Sequence, residues 1–386
     1  MIATLRSFRT TKLSDLVAFG RPEAKLGARV LKDDLVRVYE LDIAPGSRKV
    51  RLDGKVPRPL ARYFGGFNVV VFTPEDLALP RGSPGDRRRF LDRGVFNFDP
   101  SYLSLATDYE KVLRSRNAVL KQAGQGLLGG TKLEDMLLVY DAQLARLSVQ
   151  VVNARTRFLS VLRPALVETF TRITRTGLVA GARYSSRIAE LASQSSSSSS
   201  SSATPSLSSE SASTTATPSR SSESASTSSA TSSRSSESAS TTTSSSSSSV
   251  AVPDAALVTL VEQKLRDNRV KDLATQSTQL GPHRDDVVLE LEGREAGSFA
   301  SQGQLRAIML AWKTAELRVL GDAHGDQPIL LLDDVSSELD PSRNEFLFDH
   351  LATLAGQCFI TTTHQSHVLL AQNRADYCIQ AGRILE

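Results

Sequence analysis

Two adjacent carboxylates, Asp333 and Asp334, follow the apolar run Ile329-Leu330-Leu331-Leu332. Such a run suits a strand covered on both faces, and its carboxyl end is where an open α/β sheet presents a ligand. There one Asp holds Mg²⁺ while its neighbour orients or deprotonates a water. Upstream, Ser301-Gln302-Gly303-Gln304 opens a helical run that continues through Leu317 with no further Gly or Pro. A Ser hydroxyl, a Gly that admits close backbone approach and the free N–H groups of a helix start make a phosphate site. Downstream, a β-branched stretch over 357–363 ends at His364, an imidazole suited to contact a γ-phosphate. Read alone, each has a plainer alternative: a core strand with an Asp-rich turn, an ordinary Ser N-cap, a structural histidine.

The elements that must position these groups follow from periodicity. Residues 27–72 read as short strands punctuated by Gly and Pro, among them 35–41 and 69–72. From about 85 to 190 the pattern turns helical. Apolar residues recur at three and four positions through Leu103 to Leu120 and Met136 to Leu162, as paired long helices forming an arm would require. A Ser/Thr tract over 194–249 carries near-copies of Ser-Ser-Glu-Ser-Ala-Ser-Thr starting at 208, 221 and 235. It cannot bury enough apolar surface to offset its ordering entropy, so it is expected to be disordered, a repeat expansion tolerated in a surface loop. Helix resumes over Leu257 to Val270. Gly281-Pro282 then marks a turn, and His283-Arg284-Asp285-Asp286 puts mixed charge at a strand entry. There Arg284 and Asp285 are expected to pair with each other or with neighbouring loops.

Composition sets outer bounds. The 386 residues, 40% hydrophobic, suffice for a large core and more than one domain. Net charge is +4 with a pI near 9.1, and the clusters Arg87-Arg88-Arg89 and Arg114/Arg116 admit a footprint on a phosphate backbone or, equally, a solvated basic face. Two cysteines, Cys358 and Cys378, argue for a reducing cytosolic setting without a disulfide framework or metal cluster. No apolar run reaches membrane-spanning length, and the first residues are too polar for a secretory signal, so a cytoplasmic protein with no membrane partner is expected.

In order and spacing the chemical elements look like the carboxyl lobe of an ABC-type ATPase. The signature is Ser301-Gln302-Gly303-Gln304, the Walker B segment ends at Asp333-Asp334, the D-loop is Ser337-Glu338-Leu339-Asp340, and His364 is the switch histidine. With Gly281-Pro282-His283-Arg284-Asp285-Asp286 they resemble the RecF family of bacterial recombination proteins. The amino half agrees through Phe72-Thr73-Pro74-Glu75-Asp76-Leu77, Gly82-Ser83-Pro84 and Arg87-Arg88-Arg89-Phe90-Leu91-Asp92. Residues Tyr109 to Asn117 fit the family's arm helix. The similarity covers essentially the whole chain except the Ser/Thr insert.

The resemblance implies an α/β fold, an ABC/SMC-type ATPase head of the P-loop NTPase kind with an inserted helical arm. It divides the chain into 1–95 (first part of the head), 96–193 (arm), 194–249 (insert), 250–275 (return helix of the arm) and 276–386 (second part of the head). It implies a role in DNA replication, recombinational repair and SOS induction, with ATP and Mg²⁺ as cofactors. It further implies ATP-dependent homodimerisation, binding to double-stranded and gapped DNA, and RecO- and RecR-type partners in loading recombinase. By the same token Asp333 holds Mg²⁺, Asp334 activates water, His364 senses the γ-phosphate, and Arg87, Arg88 and Arg89 are candidates for touching DNA.

One part of the family pattern is missing. No Gly-x-x-x-x-Gly-Lys-[Ser/Thr] occurs in the sequence. Residues 124–132 are Gly-rich but carry Thr-Lys in reverse order and no preceding strand, so they read as an interhelical loop. Residues 5–10 look like the segment just after the Walker A helix, so a truncated chain or a misassigned start is expected; a chain starting at Met1 is expected to bind ATP poorly or not at all. Two rival classes stand beside the ATPase. One is a nucleotide-deficient DNA-binding scaffold; the other is an ATPase subunit of a transporter or Rad50-like complex, which the motifs of the first and second halves fit less well.

Overall fold

The computed structural model describes residues 1–199 and 255–385, apart from 6, 8, 9, 11, 59 and 355. Three antiparallel strands come first: β1 (Ala24–Lys32), β2 (Leu35–Ala44) and β3 (Ser47–Leu52). They bury Tyr39, Leu41 and Ile43 over Leu5 and Tyr63 in a small core of their own. β4 (Val69–Phe72) leads into α1 (Pro74–Ala78), α2 (Pro84–Phe98), α3 (Tyr102–Gly124) and α4 (Gly130–Thr174). β5 (Ala180–Ser185) and α5 (Arg187–Ser199) follow. Beyond the tract come α6 (Ala255–Asp267), α7 (Arg269–Thr275), β6 (Asp286–Leu291), β7 (Arg294–Glu295), α8 (Ala296–Phe299) and α9 (Gln302–His324). β8 (Ile329–Asp333), α10 (Pro341–Leu354), β9 (Gln357–Thr361) and the hairpin of β10 (Cys378–Gln380) with β11 (Arg383–Leu385) complete the chain.

The sheet that matters for chemistry is parallel, with order β4-β8-β9. β8 is central and carries the Ile-Leu-Leu-Leu run, as expected of a strand paired on both sides. The helices over it start for reasons written in the sequence. Thr73 with Asp76, Ser83 with Asp86 and Ser301 with Gln304 each form a capping box, in which side chain and backbone N–H groups satisfy each other reciprocally. Pro74 and Pro84 occupy first-turn positions where no N–H is needed.

One hydrophobic core runs from Val70 and Phe72 on β4, through Leu144 to Phe170 on α4, to Leu305 through Leu320 on α9. α4 packs along both α3 and α9, so the long helix shares its core with β4 and α9. At about 1.5 Å per residue, α4 is roughly 65 Å long.

The observed elements depart from expectation in three places. The helical region is interrupted by β5, which pairs antiparallel with β6. α4 extends well past both ends of the expected 136–162 helix. The return helix divides at Asn268 into α6 and α7. The expected disordered tract lies outside the described residues, save that α5 reaches Ser199. Residues 125–129 do form the loop between α3 and α4.

Candidate functional site

β8 and β9 end together, with Asp333 opposite Thr361. The Thr361 hydroxyl donates to Asp333 Oδ1 at 2.8 Å, and the Asp334 N–H donates to the Thr361 carbonyl at 3.0 Å. Asp334 has φ +52°, a left-handed conformation that Asp tolerates and that turns the chain out of the strand. The Asp333 carboxylate and the Thr361 hydroxyl thus meet at the strand ends, oxygen groups of the kind Mg²⁺ takes, with Asp334 next in the chain. His364 lies three residues beyond Thr361, exposed; its N–H donates to Thr362 Oγ1 at 3.2 Å, and its ring meets that of His367 edge-on, centroids 5.7 Å apart.

Ser301 caps α9: its hydroxyl accepts from the Gln304 N–H at 3.2 Å, and its own N–H donates to Gln304 Oε1 at 2.8 Å. One turn on, Arg306 donates to Glu338 Oε2 at 2.9 Å, tying the signature helix to the D-loop. A Cβ on Gly303 would stand 3.5 Å from the Arg343 guanidinium, which pairs with Asp340. Asp340 in turn accepts from the Ser342 hydroxyl at 2.7 Å and the Arg343 N–H at 3.1 Å, capping α10. The segments expected as signature and D-loop are therefore neighbours on one face, and Phe299, 73% exposed, lies two residues before Ser301.

The three consecutive arginines do not share a surface. Arg87 is buried and grips Asp286 through two bonds of 2.9 and 2.5 Å; Arg88 donates to the Asp285 carbonyl at 2.6 Å; Arg89 alone is exposed and pairs with Asp86. Arg116, expected in a basic footprint, is fully buried between Asp141 and Asp272, each 2.7 Å away, so it is a strut rather than a DNA contact. Arg284 and Asp285 do not pair with each other. Asp285 accepts from the Tyr184 hydroxyl at 2.5 Å, while the Arg284 guanidinium donates to the Thr278 carbonyl. Burial pushes Asp285 up and pushes His283 down to about 4, so His283 is neutral where it meets the Tyr109 hydroxyl, 2.5 Å away.

Sequence reasoning missed two buried cations that brace α9 and α4 against their neighbours. Lys313 sits buried on α9 between Asp76 at 3.6 Å and Glu316 at 3.4 Å. Arg155 on α4 reaches Asp92 at 2.8 and 3.0 Å and the Pro282 carbonyl at 2.8 Å. The available signal was a charge inside an apolar helical stripe, which in a buried helix needs a partner.

No family model matches the chain. The DNA replication and repair protein RecF of Myxococcus xanthus is 34% identical over 367 residues, 95% of this chain and 80% of that protein. The chain belongs to the RecF family. The RecF proteins of an Anaeromyxobacter species and Geobacter sulfurreducens are each 31% identical, over 99% and 100% of this chain and 86% and 87% of their own. Among solved structures, RecF–ATPrS, a recombination mediator protein in the RecFOR pathway, superposes with a TM-score of 0.72 at 25% identity, covering 98% of this chain and 84% of that one. RecF–ATP gives 0.71 at 24% identity, over 99% and 85%. The chain shares the fold of these RecF structures.

Proposed function

We propose that this chain works in DNA replication, recombinational repair and SOS induction as an ATP-switched clamp on double-stranded and gapped DNA. Two copies close together, the Ser301–Gln304 signature of one against the nucleotide of the other, and help RecO- and RecR-type partners load recombinase in the cytoplasm. The observation that carries this reading is the Arg306–Glu338 bond of 2.9 Å, which joins signature helix and D-loop at one face. Residues 96–193 and 250–275 are the arm, an interaction surface set on the head.

Within the site, Asp333 is the Mg²⁺ ligand, its carboxylate steadied by the Thr361 hydroxyl. Mg²⁺ held there would supply charge neutralisation at the transferred phosphoryl oxygens. Asp334 orients and deprotonates the attacking water, and His364 senses the γ-phosphate. Arg89, the exposed member of its triple, is the one available to a DNA phosphate.

Asp334→Asn, introduced at the chromosomal locus, tests the assignment on the protein as its cells make it. ATP turnover is expected to vanish while ATP-dependent association persists. Unchanged turnover would refute the role of Asp334.

A further inference from the structure

The short turn Leu79–Arg81 is docked against the backbone that leads into the signature, and we infer that Arg81 is a positioning residue for Ser301–Gln304. Its guanidinium spans two carbonyls at once: Nε donates to Gly297 O at 3.1 Å and Nη2 to Ala300 O at 3.2 Å. Ala300 immediately precedes the helix cap Ser301, and both Ala296 and Ala300 are buried. A planar guanidinium holds two acceptors in fixed relation; an ammonium on a flexible stem does not.

The backbone contact beside it is independent of the side chain. A Cβ on Gly297 would stand 2.3 Å from the Pro80 carbonyl oxygen and 3.1 Å from its carbon, so only glycine lets these two backbones meet. The turn is itself held from two sides. It follows α1, whose Asp76 is paired with Lys313 on α9 and with Arg93 on α2. α1 follows β4, whose Phe72 is in register with Leu332, one residue before Asp333. Arg81 is thus the last link in a run of contacts from the Walker B strand's neighbour to the signature cap. This inference rests on the signature reading above only where nucleotide is concerned.

Amide exchange of the free protein tests the geometry. The reporters are the N–H groups of Ser301, Gln304 and Leu305, which bond to Gln304 Oε1, Ser301 Oγ and Ser301 O. Arg81→Ala is expected to speed their exchange roughly tenfold, the loss of two charge-assisted bonds, with Arg81→Lys intermediate. Gly297→Ala should act on the same amides from the opposite side. Wild-type exchange at these amides in Arg81→Ala and Gly297→Ala overturns the inference. ATP titration of self-association gives the second readout. The midpoint is expected to rise about tenfold in Arg81→Ala, with the maximum retained and the melting temperature only slightly lowered. Faster exchange with an unmoved midpoint would reduce Arg81 to a structural contact and overturn its role at the signature. Should the wild-type protein show no ATP-dependent association, the clamp function fails instead, and the exchange rates alone decide whether Arg81 holds the signature backbone.

Discussion

Arg87, Arg88 and Arg89 are adjacent in the chain and have three different environments: a buried ion pair, a bond to a backbone carbonyl, and solvent. The partners of Arg87 and Arg88, Asp286 and Asp285, are nearly two hundred positions away, so adjacency carried no information about which arginine faces inward. Arg116 makes the point more sharply. It is 0% exposed, as are Asp141 and Asp272, and Arg269 gives Asp141 a second cation at 2.7 Å. Removing it leaves carboxylates buried with too little positive charge, which costs on the order of 3–5 kcal/mol. Arg116→Ala should therefore lower the urea midpoint far more than Arg89→Ala, whose exposed pair is worth less than about 1 kcal/mol. Arg89→Ala should instead lessen the salt dependence of DNA binding by about one phosphate contact. Equal stability of the two variants would contradict the assignment. The strand ending at Asp333 and the helix start at Ser301 were legible because strand ends and helix starts are local; the ion pairs were not, because each spans the fold.

At the scale of elements, the three capping boxes were readable from residue types alone, and all three begin segments that the family resemblance singled out. β5 was not. Ala-Gly-Ala-Arg-Tyr-Ser has little β-branched character, and its partner β6 lies beyond the Ser/Thr tract, so only tertiary pairing makes it a strand. The segment 278–286 looked like a simple turn with mixed charge. It is a polar junction, joined to α3 through Tyr109 and Asn117, to α4 through Arg155, and to α2 through Arg87 and Arg88. His283 within it gives a pH signature. Its folded value near 4 lies below the ordinary 6.5, so the unfolded chain takes the proton first. That contribution is intact above about pH 6.5 and is lost as pH falls toward 4, on the order of 3 kcal/mol in all. Asp285, raised by burial, slopes the other way, so the test is the difference between proteins. Urea midpoints of wild type and His283→Asn should converge between pH 6.5 and 4; parallel curves would show that His283 is not the titrating group.

Across the whole molecule, the long helix α4 shares one core with the signature helix α9 and the strand β4, so arm and head are bound by common packing rather than by a hinge of loops. For the clamp proposed above, such packing would let a partner at α3 and α4 and a nucleotide near β8 bias the same closed form, a coupling that acts equally in both directions. The most direct measurement is the sedimentation of the protein isolated from its own cells on gapped duplex DNA, with and without Mg²⁺ and ATP. The account predicts one copy per site without ATP, two with it, and return to one as ATP is consumed. The same mass and the same DNA affinity in both conditions would contradict it.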